Sequence, residues 1–190
     1  MSWTRRRLLQ MGGALAGMSA AGVLALPARA AGTAASAGRR AAAKRIHLKN
    51  LHTGEELEAE FFRGGAYVGE SLASIQVLLR DFRNNQQHAI DPRLMDYLFD
   101  VAQHAGVDPV FSVISGYRSP QTNAQLRERS DGVARHSLHL EGRAIDVRLA
   151  AVDCADLAGR ALGLTRGGVG YYRKSDFVHL DTGAFRTWKG

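Results

Sequence analysis

Cysteine is almost absent from this chain: its 190 residues contain a single one, Cys154, so no disulfide can form within the chain. The uncharged apolar run of residues 11–26 is also shorter than the roughly 20 residues that cross a bilayer. No internal repeat is visible. With 45% hydrophobic residues, a chain of this length can bury a core without disulfides. We expect one folded domain with Cys154 inside it.

Acidic residues are absent from the first thirty positions, which hold four arginines. These arginines account for four of the seven net positive charges, so the rest of the chain carries only +3. A charge of this size suits attraction to an anionic polymer such as a cell wall, without identifying one. No recognised nucleic-acid-binding motif accompanies it, and we expect no nucleic-acid partner.

The first thirty residues resemble a twin-arginine export signal. Residues 4–10, TRRRLLQ, place arginines before two bulky apolar residues, the apolar run follows, and residues 28–30 form an A-x-A cleavage site. We expect export to the periplasm or cell envelope by the twin-arginine machinery, with no stable membrane insertion after cleavage. A retained membrane anchor is the alternative. Residues 31–44 are rich in Ala, Gly and Ser and predict a flexible linker before the folded domain, residues 45–190.

Hydrophobic periodicity divides the folded part into strands and helices. The early helices are followed mostly by strands, and the last two strands are joined by a tight turn. This order indicates an α+β fold with a largely antiparallel sheet flanked by helices. The predicted strands are residues 45–50, 57–62, 109–115, 144–149, 169–172 and 177–180, and the predicted helices are residues 71–83, 92–105, 120–129 and 152–163.

One segment combines two good metal ligands. His139 and Asp146 lie seven residues apart with Gly142 between them, and a glycine lets the chain turn so that both side chains reach one site. His179 offers a third ligand, because strand alternation places the neighbouring valine and leucine on the core face and the histidine on the other. Two imidazoles and one carboxylate leave a fourth position for water, as in catalytic zinc sites. We therefore predict that these three residues bind one Zn²⁺ ion.

These ligands belong to a longer pattern, S-x-H-x-x-G-x-A-x-D, which residues 137–146 fulfil. The pattern resembles the signature of the D-Ala-D-Ala peptidase family of zinc enzymes, whose metal site is shared with the hedgehog signalling domain. Within that family the chain looks most like the murein endopeptidase K branch. The matching segments are residues 115–119, 168–172, 177–179, 181–183 and 186–188. The resemblance covers residues 45–190 and implies the hedgehog-like, D-Ala-D-Ala-peptidase-like fold.

The resemblance also implies roles for residues around the metal. Arg118 is expected to bind substrate, together with Tyr117 and Gln125, because a guanidinium holds a carboxylate with two parallel hydrogen bonds or polarises a scissile carbonyl. Two candidates remain open for the general base. Asp176 lies three residues before the distal histidine, where several members carry an acid, but it is also a typical turn residue. Asp181 shares a strand face with that histidine and either acts as the base or orients the ligand.

Four further side chains have less specific expectations. His136 is expected behind the ligands or in solvent. Tyr171 and Tyr172 either line the substrate groove or pack against their neighbours. Trp188 is expected to anchor the C-terminus as a core residue.

We therefore expect a zinc-dependent murein endopeptidase that hydrolyses peptide cross-links of peptidoglycan, with stem peptides as its substrate. One alternative is a zinc-containing peptidoglycan-binding module without hydrolysis, because the hedgehog domain keeps this zinc site and uses its surface for partners. A D,D-carboxypeptidase is the other alternative.

Overall fold

The computed structural model describes residues 42–129 and 133–190. The expected export signal, residues 1–30, lies outside these ranges, as do residues 31–41 of the expected linker. Within the described ranges, no helix combines the length and the apolar character needed to cross a membrane.

The described chain alternates short strands with helices and ends in three strands. Its elements are β1 Lys44–Asn50, β2 Glu56–Arg63, β3 Ala66–Tyr67, α1 Gly69–Leu78, α2 Pro92–Ala105, β4 Val110–Ser115, α3 Pro120–Arg129, a 3-10 helix Leu138–Glu141, β5 Ala144–Leu149, α4 Cys154–Leu164, β6 Gly168–Tyr172, β7 Phe177–Asp181 and β8 Arg186–Lys189.

All of these strands join one sheet in the order β3-β2-β1-β4-β5-β7-β6-β8. The β1–β4 and β6–β8 pairs are parallel, whereas the other neighbours are antiparallel. The expected α+β class with a largely antiparallel sheet is confirmed. Strands β3 and β8 were not predicted, because elements of two and four residues are too short to show a hydrophobic period.

One face of the sheet carries the hydrophobic core, to which α1, α2 and α4 contribute. Val147 on β5 and Val178 on β7 are fully buried there, and Cys154 is buried in the same cluster, as expected. Because side chains alternate along a strand, Asp146 and His179 leave the sheet on the opposite face. The core thus fixes the direction in which the candidate ligands point.

Helix α1 ends at Leu78, so the expectation that this helix continues to residue 83 is wrong. Beyond it, Asp81 Oδ1 accepts a hydrogen bond from the backbone N–H of Arg83 at 3.1 Å, and Asn84 Oδ1 accepts one from Gln86 at 3.1 Å. Short polar side chains of this kind offer the backbone an alternative to helical hydrogen bonds. The apolar periodicity of this segment continues past the last helical residue.

Candidate metal centre

The three predicted ligands come from three different elements. Asp146 on β5 and His179 on β7 are direct cross-strand partners, so their side chains leave the sheet next to each other. His139 lies on the 3-10 helix that precedes β5. Gly142 ends this helix at φ +64°, and a Cβ there would lie 2.0 Å from the carbonyl oxygen of Ala89. Only glycine fits, and its turn brings the histidine back over the strands.

The ligand atoms of these residues form a compact triangle. His139 Nε2 lies 3.2 Å from His179 Nδ1 and 3.2 Å from Asp146 Oδ1, and the last two atoms are 2.9 Å apart. A tetrahedral zinc site with bonds of about 2.0–2.1 Å places its ligand atoms about 3.3 Å from one another. The triangle therefore fits one face of such a tetrahedron with small adjustments. Each of the three residues is buried.

A hydrogen bond on the far side of each ring fixes which nitrogen faces the triangle. His139 Nδ1 donates to the carbonyl oxygen of Gly116 at 2.6 Å, since a carbonyl can only accept. His179 Nε2 lies 3.0 Å from Asp181 Oδ2, a carboxylate that accepts the ring N–H. When each ring carries only this one proton, both rings present an unprotonated nitrogen to the triangle. Carboxylate and carbonyl partners of this type orient metal-bound histidines in proteins.

Asp181 is fully buried and is held from several directions. Its Oδ1 accepts hydrogen bonds from the backbone N–H groups of Gly168 at 3.1 Å and Gly183 at 2.8 Å. The guanidinium of Arg186 spans both carboxylate oxygens, at 3.0 and 2.7 Å. Together with the His179 contact, these bonds occupy both oxygens of Asp181. Its carboxylate lies behind the ring of His179.

Burial and neighbouring charges shift the pKa values of the ligands. Burial lowers the pKa of His139 to about 4, and the positive charge of Arg118 acts in the same direction, so this imidazole is neutral at neutral pH. Burial opposes ionisation of Asp146, but its contacts with the two histidines and Arg118 hold its pKa well below the usual value. Burial also lowers the pKa of His179, yet Asp146 and Asp181 outweigh this and raise it. In the metal-free protein, a proton on His179 therefore competes with a metal ion.

Arg118 lies beside the triangle and is tied to it. Its terminal nitrogen Nη2 donates to Asp146 Oδ2, and its Nε donates to Ser115 Oγ at 2.9 Å. The loop that carries it is anchored by Asp81, a fully buried carboxylate that accepts hydrogen bonds from the backbone and the hydroxyl of Ser119 at 2.9 and 2.7 Å. Within residues 42–129 and 133–190, no group hydrogen-bonds to the other terminal nitrogen, Nη1.

Two other expected substrate residues lie away from the triangle. Tyr117 is buried and stacks on His88, with ring centroids 5.0 Å apart. Gln125 is exposed on α3. Neither belongs to the described residues that line the groove around the metal centre.

Asp176 occupies the turn between β6 and β7 at φ +51°. Its side chain is 67% exposed and forms an ion pair with Arg148, with Oδ2 lying 3.1 Å from Nε. The groove is lined instead by its neighbours Ser175 and Phe177. Of the two acids considered for the base, Asp181 thus contacts a ligand ring and Asp176 lies outside the groove lining.

A groove of about 470 Å³ opens over the ligand triangle. Its lining includes the positive side chain of Arg118 and the exposed imidazole of His136. Three aromatic side chains also line it: Tyr172, Phe177 and Trp188. We call these three residues the aromatic wall. A groove that combines polar groups with an apolar surface is typical of small-ligand and peptide sites.

Trp188 lies in this groove, and the expectation that it is a core residue is wrong. Its indole is tilted against the ring of His179 with centroids 5.1 Å apart, and its Nε1 donates to the hydroxyl of Tyr172 at 3.0 Å. Strand β8 pairs Trp188 with Gly170, and a Cβ at that glycine would lie 2.4 Å from the indole. The two alternating glycines of β6, Gly168 and Gly170, are the sequence signal that indicates a close neighbour on this face.

The comparisons with known proteins agree with one another. Over 184 residues, the chain is 42% identical to the peptidoglycan L,D-endopeptidase MepK of Escherichia coli K12, covering 97% of this chain and 96% of that protein. Over 146 residues, it is 42% identical to the probable peptidoglycan L,D-endopeptidase MepK of Haemophilus influenzae, covering 76% of this chain and 78% of that protein. No solved structure matches the chain at a significant level.

The family comparison leads to the same branch. The family model described as peptidoglycan L,D-endopeptidase MepK matches residues 39–188, which include the whole described fold except its last two residues. The expected membership of the murein endopeptidase K branch is therefore confirmed. The chain belongs to the peptidoglycan L,D-endopeptidase MepK family of M15 peptidases.

Proposed function

We propose that this protein is a zinc-dependent murein endopeptidase that hydrolyses L,D peptide cross-links of peptidoglycan in the cell envelope. The observation that carries the proposal is the triangle of His139 Nε2, Asp146 Oδ1 and His179 Nδ1, with separations of 2.9–3.2 Å. The relatives from Escherichia coli and Haemophilus influenzae are named as peptidoglycan L,D-endopeptidases, which supports the substrate class and the bond type.

The chemistry of the donor set supports zinc as the metal. Two nitrogens and one carboxylate oxygen suit this ion, and three protein ligands leave a position open for chemistry. When bound, zinc supplies Lewis acidity for the attack of water on a peptide carbonyl. The side chain of His139 is neutral and that of Asp146 is ionised, and these are the forms that bind a metal ion.

Arg118 is assigned to the substrate. Two of its nitrogens are held by Ser115 and Asp146, which fixes the plane of the guanidinium. Its Nη1 is then positioned to donate to a substrate carboxylate or to the scissile carbonyl oxygen. Stem peptides carry free carboxylates, so a fixed cation at the groove has a suitable partner. Tyr117 acts on substrate only indirectly in this proposal, because its ring stacks on His88 beside the loop of Arg118. Gln125 is exposed on α3 and is assigned no contact with the substrate.

Asp181 is assigned to orient His179, because both of its oxygens already accept hydrogen bonds from the protein. Asp176 is the remaining candidate for the base. That role requires its ion pair with Arg148 to open and the β6–β7 turn to bring the carboxylate into the groove. Asparagine at each position separates the two roles: loss of zinc affinity marks an orienting residue, and loss of turnover with zinc retained marks a base.

The direct test is incubation of the purified full-length protein with cross-linked muropeptide dimers, followed by mass spectrometry of the products. We expect dimers to become monomers with zinc present and to stay intact after chelation. His139→Ala should lose both zinc and activity. The matched control is His104→Ala, an exposed histidine at the end of α2, which should keep both.

The same assay distinguishes the alternative functions. Release of a terminal D-alanine from uncross-linked stem peptides, with dimers untouched, would indicate a D,D-carboxypeptidase. Co-sedimentation with cell-wall sacculi without any change in the muropeptide profile would indicate a binding module. Either result contradicts the endopeptidase assignment.

Export by the twin-arginine pathway to the periplasm is part of the proposal. Its support is the sequence of residues 4–10 and the cleavage motif at residues 28–30. Residues 31–44 then connect the cleavage site to the folded domain. Replacing Arg5 and Arg6 by lysine should leave the protein in the cytoplasm, and unchanged periplasmic recovery in cell fractionation would contradict this route.

A further inference from the structure

None of the three residues of the aromatic wall is a candidate metal ligand, yet the fold holds their rings in a defined arrangement. Tyr172 and Phe177 are cross-strand partners on β6 and β7, and their rings stack with centroids 4.5 Å apart at an interplanar angle of 16°. Trp188 extends the wall from β8 through its hydrogen bond to the Tyr172 hydroxyl. The three rings therefore form one connected surface rather than separate side chains.

This surface is preorganised and still open. Gly170 leaves the space that the indole of Trp188 occupies against β6, so the ring cannot move closer to the sheet. Trp188, Tyr172 and Phe177 nevertheless remain only partly buried. A rigid aromatic surface that stays accessible inside a groove is suited to binding, because little conformational entropy is lost when a ligand covers it.

The wall is close enough to the metal centre to contact the residue that flanks the scissile bond. The ring of Trp188 lies 5.1 Å from that of His179, and one extended residue spans about 3.3–3.6 Å. A peptide whose scissile carbonyl reaches the metal ligands thus places its next residue on the indole. The glycan strand joins the opposite end of the stem peptide and is too far along the chain to occupy this position.

The charges around the aromatic wall determine which chemical groups can bind there. The guanidinium of Arg186 lies 5.0 Å from the centre of the indole, and Arg118 and His136 line the same groove. A cationic group would be repelled here, although aromatic faces attract cations elsewhere. Stem peptides offer alkyl segments and free carboxylates. An alkyl segment fits the aromatic wall, while a carboxylate fits the guanidinium groups.

We propose that the aromatic wall of Tyr172, Phe177 and Trp188 is a specificity subsite that binds the alkyl side chain of the stem-peptide residue flanking the scissile bond. The proposal rests on the proposed function, since it concerns the substrate of the same site. Trp188 is its central contact, because its ring lies against that of His179. The subsite acts on substrate binding and leaves zinc binding unchanged.

Fluorescence of Trp188 tests the subsite directly, because the chain contains only two tryptophans, Trp3 and Trp188. In the zinc-loaded full-length Trp3→Phe protein, all tryptophan emission comes from Trp188. The probe is a glycan-free cross-linked stem-peptide dimer whose L,D amide is replaced by an uncleavable and uncharged ketomethylene. We expect saturable binding that shifts the emission to shorter wavelength and reduces acrylamide quenching at least about twofold.

Kinetics on the cleavable dimer provide the second readout. Trp188→Leu should raise KM about tenfold, the size expected when one central aromatic contact is lost, with zinc content and kcat largely retained. Trp188→Phe keeps an aromatic ring and should recover most of this loss. The matched control is Phe185→Leu, an aromatic residue that is 51% exposed just before β8 and outside the groove lining, and it should leave KM unchanged.

Each other outcome overturns the inference in a recognisable way. Hydrolysis of the dimer with unchanged Trp188 emission on probe binding, or with wild-type KM in Trp188→Leu, rejects the subsite and leaves the proposed function standing. Protection of Trp188 only by glycan-bearing fragments would assign the wall to the sugar and reject the peptide subsite. Absence of both binding and hydrolysis rejects the subsite and the proposed function together.

Discussion

Replacing Asp181 by asparagine separates an orienting role from an acid–base role. The carboxylate of Asp181 has two acceptor oxygens, and a different set of groups donates to each. Oδ1 faces the backbone N–H groups of Gly168 and Gly183, and Oδ2 faces His179 Nε2 at 3.0 Å. Asparagine keeps the volume but offers only one acceptor, together with an NH₂ group that donates.

Both orientations of the new amide disturb the site. If its oxygen faces the two glycines, the NH₂ group donates to His179 Nε2, which must then be unprotonated. The proton moves to Nδ1, the nitrogen that faces the ligand triangle, and this nitrogen can no longer bind a metal ion. If the amide is reversed, the NH₂ group meets two backbone N–H donors that lose their acceptor inside the protein.

The expected losses follow from these two cases. Removing the partner of a metal-bound histidine costs about 10- to 100-fold in metal affinity. Leaving a buried donor without its acceptor costs about 1–3 kcal/mol of folding free energy. The ion pair of Asp181 with Arg186 adds at most about 1 kcal/mol, since the arginine side chain is 46% exposed.

Zinc affinity, measured by competition with a chromophoric chelator, distinguishes the two roles. We expect Asp181→Asn to bind zinc at least about tenfold more weakly, with a lower Tm in the metal-free form. Asp176→Asn is the matched control, since this acid is exposed, and its zinc affinity should equal that of the wild type. Wild-type zinc affinity in Asp181→Asn, combined with a large loss of kcat, would refute the orienting role and identify Asp181 as the base.

Three further predictions concern the surroundings of the site. Arg118→Lys keeps the charge but loses the planar fork, so kcat/KM on muropeptide dimers should fall about 10- to 100-fold; unchanged kinetics would contradict its substrate role. Gly170→Ala places a Cβ 2.4 Å from the Trp188 ring and should destabilise the fold by about 1–3 kcal/mol. Gly159→Ala, in α4, adds a Cβ that meets no atom within 4 Å and should stabilise the fold by about 0.5–1 kcal/mol. Equal shifts of the two variants in thermal unfolding would contradict this contrast. Burial raises the pKa of Asp81, but hydrogen bonds from the loop and from α3 more than offset this and lower it. The ionised carboxylate of Asp81 therefore stabilises the fold fully above its unfolded pKa of about 3.9, and this stabilisation is lost as the pH falls through the lower folded pKa. In urea unfolding, the free energy of unfolding of Asp81→Asn should therefore fall less at acid pH than that of the wild type.

The ligand triangle could be predicted from the sequence because its geometry depends on local rules. Alternation on β7 determines that His179 leaves the core face, and the glycine at position 142 determines that the chain turns after His139. The signature then relates Asp146 to the same turn. The β5–β7 pairing, which places Asp146 beside His179, is the long-range contact that these steps did not predict.

The roles of Asp181 and Trp188 needed the three-dimensional structure, because both depend on β8. This strand, residues 186–189, pairs in parallel with β6. Its sequence, RTWK, is too short and shows too little periodicity to predict a strand. Without β8, the carboxylate of Asp181 has no guanidinium partner, so the sequence leaves this residue open as a base. Without its place beside Gly170, Trp188 is predicted to be an ordinary core residue.

Strand β8 connects the candidate metal centre to the groove. Its first residue, Arg186, binds the carboxylate of Asp181, which contacts His179, and its third residue, Trp188, contacts the same histidine from the groove. Residues two apart on a strand share one face, so a single short strand supports His179 through Asp181 and forms part of the surface proposed to bind substrate. A change that shifts the register of β8 by one residue would remove both contacts at once. Zinc affinity and substrate KM should therefore change together in variants that displace this strand, whereas substitution of Trp188 alone should change KM and spare the metal.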